Sequence, residues 1–366
     1  MTETTIAYKS LLNQMTQSTP TCLWNDSAAM EDLQYSMSHG GVGATCNPVI
    51  VNDVLKKEMA FWRERIGQLV SEMPTATEGE IGWRLVDEMT IRGAKLFLPI
   101  FEQHRGRNGR LSVQTDPRNF RNADAMLRQA QYFNGLAPNI IVKIPVTAAG
   151  VKAIEETTYH GISINATVSF SMPQAIAVAE AVERGLRRRE AEGKEIASMG
   201  PVCTLMVGRL DDWLKLLADR DKVAVDRAAL EWAGVAVFKK TYQLYRERGY
   251  RIRLLSAAFR NLLHWSEFIG GDVVISPPCD WAKKFNASDV TVTSRIDTPV
   301  APDIMAELNK FDDFRRANTE KGMSHAEFDT FGPTRRTLRQ FSAACQELET
   351  HIREILIPNP ELTTSN

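Results

Sequence analysis

A single lysine interrupts the apolar run NIIVKIPVT (139–147): Ile140, Ile141 and Val142 precede Lys143, and Ile144, Pro145 and Val146 follow it. An ammonium group placed there loses solvation that its neighbours cannot replace. Lysine is seldom fully buried without a partner, so one reading pairs Lys143 with Asp26 or another carboxylate. The other reading is chemical. Desolvation lowers the pKa of an amine and leaves a neutral fraction near physiological pH. A neutral amine attacks a ketone carbonyl and forms a Schiff base. Other lysines lack this setting: Lys239 and Lys240 read as helical, Lys283 and Lys284 as a polar turn, Lys56 and Lys57 as a charged face. Lys143 alone sits mid-strand among β-branched residues, and perturbed groups of this kind cluster at functional sites.

A reactive lysine on a strand needs partners from other strands. Short β-rich runs recur at 21–26, 41–45, 110–116, 139–146, 161–170, 201–208, 251–259 and 272–278. Segments of helical periodicity separate them, such as NADAMLRQAQYFNGL and MPQAIAVAEAVERGLRRREAEG. Strands alternating with helices predict a parallel sheet of the α/β class. Eight units fit a (β/α)8 TIM barrel, which takes about 250 residues, although a doubly wound sheet also suits the alternation. The surplus falls in additional helices, as insertions at about 54–104 and 211–248 and a helical tail at about 303–357. There is no Gly/Ser/Pro-rich linker and no repeat, so the expectation is one domain over 1–366.

In a barrel, active sites form where strand C-termini and the following loops converge. Asp26, Asn47, Gln114, Lys143, Asn165, Thr167, Thr204, Arg209 and Arg260 all lie within or near the ends of the expected strands. Each has an ordinary explanation by itself. Asp26 could cap the helix after it, Asn47 precedes Pro48 as turn asparagines do, and Arg209 could pair with Asp211 or Asp212. Their recurrence at equivalent places in successive units points to a shared site.

Composition narrows the ligand. The chain is 43% hydrophobic and 24% charged with a formal net charge of −1, which offers no charge excess for nucleic acid or a membrane surface. The basic stretch RGLRRREAEGK (184–194) reads as a solvated helix end. Small anions remain open, because one or two arginines suffice for a phosphate. The N-terminal MTETTIAYKSLLNQMTQSTP lacks the pattern of a signal peptide, and no stretch approaches the roughly 20 apolar residues of a membrane helix. Cys22, Cys46, Cys203, Cys279 and Cys345 are odd in number and far apart, without CxxC spacing, and the six histidines form no HExxH pair. Reduced thiols, a cytoplasmic location and no protein-built metal site are expected.

The segments LWND, GATCNPVIV, IVKIPVTAAGVKAIE, GISINATVSFSMPQA, MVGRLDDW and SAAFRN resemble, in order, the signature segments of the transaldolase family, covering about residues 20–280. The resemblance implies a (β/α)8 barrel, a Schiff-base lysine, no cofactor, and transfer of a dihydroxyacetone unit between sugar phosphates. It implies that Lys143 is the Schiff-base lysine and that Asp26 is the general acid/base at the donor hydroxyls. Asn47 and Asn165 match asparagines that bind the dihydroxyacetone moiety, and Thr167 a threonine that helps hold a catalytic water. Thr204 stands in for a donor-contacting serine, while Arg209 and Arg260 match the pair that grips the substrate phosphate. The family is often dimeric, so the resemblance admits a homodimer.

Three positions depart from the family pattern. Gln114 replaces a glutamate that assists imine formation and hydrolysis through a water, so it orients a water but exchanges no proton. Ala258 replaces a serine hydroxyl at the phosphate, and Met206 replaces an aromatic residue. Glutamine at the first position resembles the fructose-6-phosphate aldolase branch, which is shorter and has a tyrosine where Met206 stands. Three readings follow: a transaldolase-type transferase, a lyase releasing free dihydroxyacetone, and a sugar-phosphate-binding relative with little catalysis. Arg335 and Arg336, in FDTFGPTRRTL (328–338), either reach the site mouth or are solvated.

Overall fold

The computed structural model describes residues 7–361. Eight parallel strands close into a barrel in chain order. They are β1 Cys22–Asn25, β2 Gly41–Thr45, β3 Arg110–Gln114, β4 Ile140–Pro145, β5 Ile164–Ser169, β6 Val202–Met206, β7 Arg253–Ala257 and β8 Val274–Ile275. This is the (β/α)8 arrangement, and the doubly wound alternative falls away. Each strand lies inside its expected run; β2 matches it and the other seven are shorter. β8 keeps only the two residues that pair with both β1 and β7, because Pro277 and Pro278 follow without N–H groups to extend the ladder.

Strands of such a barrel are buried on both faces, which is why β4 reads as continuously apolar. Ile140, Val142 and Ile144 face the helical layer as part of the large outer core. Ile141 belongs instead to an inner cluster with Trp24, Val202, Leu255, Ala257 and Val274. Side chains alternate along a strand, so Lys143 shares the inward face of Ile141. The Trp24 ring needs a neighbour without a side chain, since a Cβ on Gly43 would lie 2.6 Å from it. At the N-terminal end of the barrel, the Arg110 guanidinium donates to the carbonyls of Gly106, Ile140 and Ser198, and burial lowers its pKa to about 10.

Two residues separate each of β2, β4 and β5 from the helix after it, and side-chain caps fix those turns. Asn47, Thr147 and Ser171 cap the helices Pro48–Lys57, Ala148–Tyr159 and Met172–Ala191. The first insertion forms the helices Met59–Glu72 and Glu78–Gln103. The helix Gly332–Leu356 packs against Pro48–Lys57, Glu78–Gln103, β5 and the helix Val207–Asp221, so it crosses the C-terminal side of the barrel. Among the described residues, no helix is long and apolar enough to cross a membrane.

Candidate active site

Lys143 is 2% exposed, and among the described residues its amine has no ion-pair or hydrogen-bond partner. A second buried lysine shows what satisfaction looks like. Lys239 is 4% exposed, and its ammonium is held by Glu267 at 2.5 Å and by the carbonyls of Arg295 and Thr298. Lys143 has nothing comparable. Burial drives its pKa down, Asp26 and Cys46 oppose this, and the Arg209 charge lowers it further. The ion pair with Asp26 that would have made Lys143 structural is not formed.

Asp26 follows the last residue of β1 and is half-buried at the mouth of the barrel. Burial raises its pKa, while the Lys143 charge, a Thr45 hydrogen bond and the Arg209 charge pull the other way. The Thr45 hydroxyl donates to its Oδ1 and lies 3.3 Å from the Ser276 hydroxyl. Asp26 caps no helix; the helix Met30–Ser38 starts after Ala29 without a side-chain cap.

The register brings the other polar residues alongside. Gln114 pairs with Lys143 across β3 and β4, and Lys143 with Asn165 across β4 and β5. Both Gln114 amide atoms are buried without a protein partner, leaving them free to orient a water or a ligand group. Asn165 donates to Ser112 Oγ at 3.2 Å and accepts from the Thr204 hydroxyl at 2.7 Å. Thr204 therefore fixes the Asn165 amide. The Thr167 hydroxyl lies 3.9 Å from Met206 Sδ, a weak contact. β5 breaks register between Ala166 and Ser169, and Val168 has φ 55°, a bulge of the kind that re-aims side chains near active sites. Asn47 does cap its helix: Oδ1 accepts from Val49 and Ile50 N–H, which leaves the Asn47 NH2 group as a donor.

The arginines stand outside the strands. Arg209 lies in the first turn of the helix Val207–Asp221, and Arg260 in the turn after β7. Together with Asp212, Arg336, Thr337 and Gln340 they line a cleft of about 360 Å³, which has room for a small ligand. Arg209 Nη1 donates to Gln340 Oε1 at 2.6 Å, and its guanidinium lies 5.6 Å from the Phe341 ring centroid. Its Nε is buried without a partner, and burial brings its pKa to about 10, still charged at neutral pH. Asp212 pairs with Arg260 rather than with Arg209, at 2.8 Å. Asp211 is fully buried and bonds His264 Nε2 at 2.7 Å. His264 Nδ1 accepts the Arg260 backbone N–H, so its proton sits on Nε2 and the ring ties the arginine turn to the Asp211 helix. Gly208 allows this approach, since a Cβ there would meet the Ala258 carbonyl oxygen at 2.1 Å. Ala258 itself has φ 65° and offers the cleft no hydroxyl.

The sequence reading missed Thr45, Ser112, Ser276, Thr337 and Gln340. Thr45 ends one expected strand and Ser276 lies within another, a signal overlooked because small hydroxyl residues are common there. Thr337 and Gln340 gave no signal; packing of the C-terminal helix brings them to Arg209. Among the described residues no three His, Cys, Asp or Glu side chains gather as a metal site.

The sequence also matches known proteins. It is 31% identical over 208 residues to a Transaldolase of Kocuria rhizophila, covering 56% of this chain and 56% of that protein. Over 212 residues it is 32% identical to Transaldolase 1 of Streptomyces avermitilis, covering 56% of this chain and 54% of that one. A Transaldolase of Mycolicibacterium smegmatis is 31% identical over 211 residues, with 56% and 55% covered. The chain thus spans about half the length of the curated relatives it matches. The family described as Transaldolase/Fructose-6-phosphate aldolase matches residues 23–352, which include every site residue above and all eight strands but for Cys22 at the start of β1, and the chain belongs to that family.

Proposed function

We propose that this protein is a transaldolase-type transferase. It moves a dihydroxyacetone unit from a ketose phosphate, such as fructose 6-phosphate or sedoheptulose 7-phosphate, to an aldose phosphate through an imine on Lys143. The observation that carries this is the buried, unpaired Lys143 amine beside Asp26, with Arg209 close enough to shift both pKa values. On this reading the enzyme works in the cytoplasm on small sugar phosphates.

The neutral Lys143 amine adds to the donor C2 carbonyl, and loss of water gives a protonated imine. The Asp26 carboxylate takes the C4 hydroxyl proton as the C3–C4 bond breaks into that electron sink. The aldose phosphate leaves, and an enamine stays on Lys143. The enamine carbon attacks the acceptor aldehyde, and Asp26 returns the proton to the new hydroxyl. Water then hydrolyses the imine and restores the amine. Asn165, held by Thr204, and the NH2 of Asn47 bind the three-carbon unit. Gln114 and Thr167 orient the water. Gln114 exchanges no proton, which leaves that duty to Asp26, whose raised pKa suits alternate uptake and release. Arg209 and Arg260 hold the phosphate.

The test incubates the protein and Lys143→Met with fructose 6-phosphate, with and without erythrose 4-phosphate. Sedoheptulose 7-phosphate formed only with acceptor, and only with the lysine present, is the expected result. Free dihydroxyacetone released without acceptor at a rival rate would make the protein a lyase instead. Full turnover by Lys143→Met would end the imine mechanism.

A further inference from the structure

The helix Gly332–Leu356 supplies the cleft beside Arg209 and Arg260 with more than a wall. We infer that Arg336 is a third phosphate-binding residue of this site, with Gln340 and Thr337 as positioning residues for Arg209. The inference rests on the proposed sugar-phosphate reading and deepens it.

Hydrogen-bond availability is the first argument. Arg260 is already engaged: Nε and Nη2 meet Asp212 at 2.9 and 2.8 Å, and Nη1 donates to the carbonyls of Ala258 and Phe259. Arg209 has one Nη1 bond committed to Gln340 and a longer one to Thr337 at 3.5 Å. The Arg336 side chain has no ion-pair or hydrogen-bond partner among the described residues, yet it lines the same cleft and its charge lowers the Arg209 pKa. Arg63, Arg121, Arg128, Arg187, Arg335 and Arg339 also have no side-chain partner among the described residues, so what sets Arg336 apart is its place at the cleft beside Arg209 and Arg260. A guanidinium fork left open beside two others is available to a planar or tetrahedral oxyanion.

Charge is the second argument. Three guanidinium groups against the Asp212 carboxylate leave two uncompensated positive charges in the cleft; without Arg336 only one would remain. A phosphate monoester carries about −1.5 to −2 at pH 7, so the trio neutralises it and the pair alone does not. Ala258 contributes no hydroxyl, which leaves the C-terminal helix as the source of the extra donor. The same helix face fixes Arg209 through Gln340 and the Phe341 ring, so binding and orientation come from one element.

The experiment compares Arg336→Ala and Arg336→Lys with Arg339→Ala, which removes an equal charge from the same helix at a different cleft. Calorimetric titration with inorganic phosphate and the KM for fructose 6-phosphate are read together with borohydride trapping of dihydroxyacetone on Lys143. Arg336→Ala is expected to weaken phosphate binding and raise this KM by about 10- to 100-fold, the worth of one charge-assisted contact. Arg336→Lys recovers part of the loss, and Arg339→Ala stays within about twofold. Trapping of unphosphorylated dihydroxyacetone is unchanged in all three. Phosphate binding by Arg336→Ala within twofold of the parent, an equal loss in Arg339→Ala, or no phosphate binding by the parent would overturn the inference. If the parent traps no imine, the transferase reading fails, while the phosphate titration still decides the role of Arg336.

Discussion

Replacing Lys143 by methionine separates a catalytic lysine from a structural one, because the two readings predict opposite changes in stability. The side chain is 2% exposed and has no partner among the described residues, so its ammonium form is held in the fold at a cost. Methionine matches the stem and removes that cost. Replacing buried ionic groups with apolar ones of similar volume is neutral or stabilising by up to about 4 kcal/mol, and loss of a counter-charge for Asp26 trims this to about 1–3 kcal/mol. At about 2.1 cal/mol/K per residue the unfolding entropy of a 366-residue chain converts 1 kcal/mol to about 1.3 °C. Lys143→Met is therefore expected to melt about 1–4 °C higher while forming no reducible imine. The pH dependence carries the same information. Folding lowers the Lys143 pKa below 10.5, so the unfolded chain binds the proton over a range where the folded protein does not. Stability falls as pH drops from 10.5 towards the folded value and is flat below it; the variant lacks this slope. Scanning calorimetry of both proteins between pH 7 and pH 10, with mass spectrometry after borohydride, reads all three effects. A variant that melts several degrees lower would refute the reasoning, since it would show that the ammonium was a satisfied structural cation.

Asp26→Asn is expected to lower kcat by about 10²–10⁴-fold while the imine on Lys143 still traps, because carbonyl attack does not need the carboxylate. Folding raises the Asp26 pKa, so the parent loses stability as pH rises from 3.8 through the folded value, and melting curves of Asp26→Asn lack that loss. Gln114→Glu puts a proton-exchanging group beside Lys143; single-turnover kinetics are expected to show faster imine hydrolysis, with a melting temperature lowered by a buried second carboxylate. His264→Phe leaves the buried Asp211 oxygen unpaired and frees the Arg260 turn, a loss of about 1–3 kcal/mol in denaturation. Its kinetic signature is a raised KM for phosphorylated donor with unphosphorylated imine trapping retained.

Much of the barrel was legible in the sequence because its signals are local. β4 announces itself by Ile140, Ile141, Val142 and Ile144, whereas the caps at Asn47, Thr147 and Ser171 emerge only in the structure. The lone lysine in an apolar strand was legible too, since burial of a charge is a conflict visible without coordinates. The nine candidate residues were chosen by position in the expected strands, and their partners could not be read from it. Asn47 caps its helix through Oδ1, which composition could not show.

Tertiary structure decided what spacing leaves open. Closure of the sheet set Lys143 beside Gln114 and Asn165, residues 29 and 22 positions away, by register alone. It gave Asp212 to Arg260 and Asp211 to His264, where sequence proximity had suggested Arg209 for either. It carried Arg336 and Gln340 from the C-terminal helix into the Arg209 cleft, more than a hundred residues away in the chain. The sequence determined which groups are chemically unusual, because propensity and solvation act over a few neighbouring residues. Only the fold decided which of them meet, because ion pairs and pKa shifts depend on distance through space, and chain separation does not encode it.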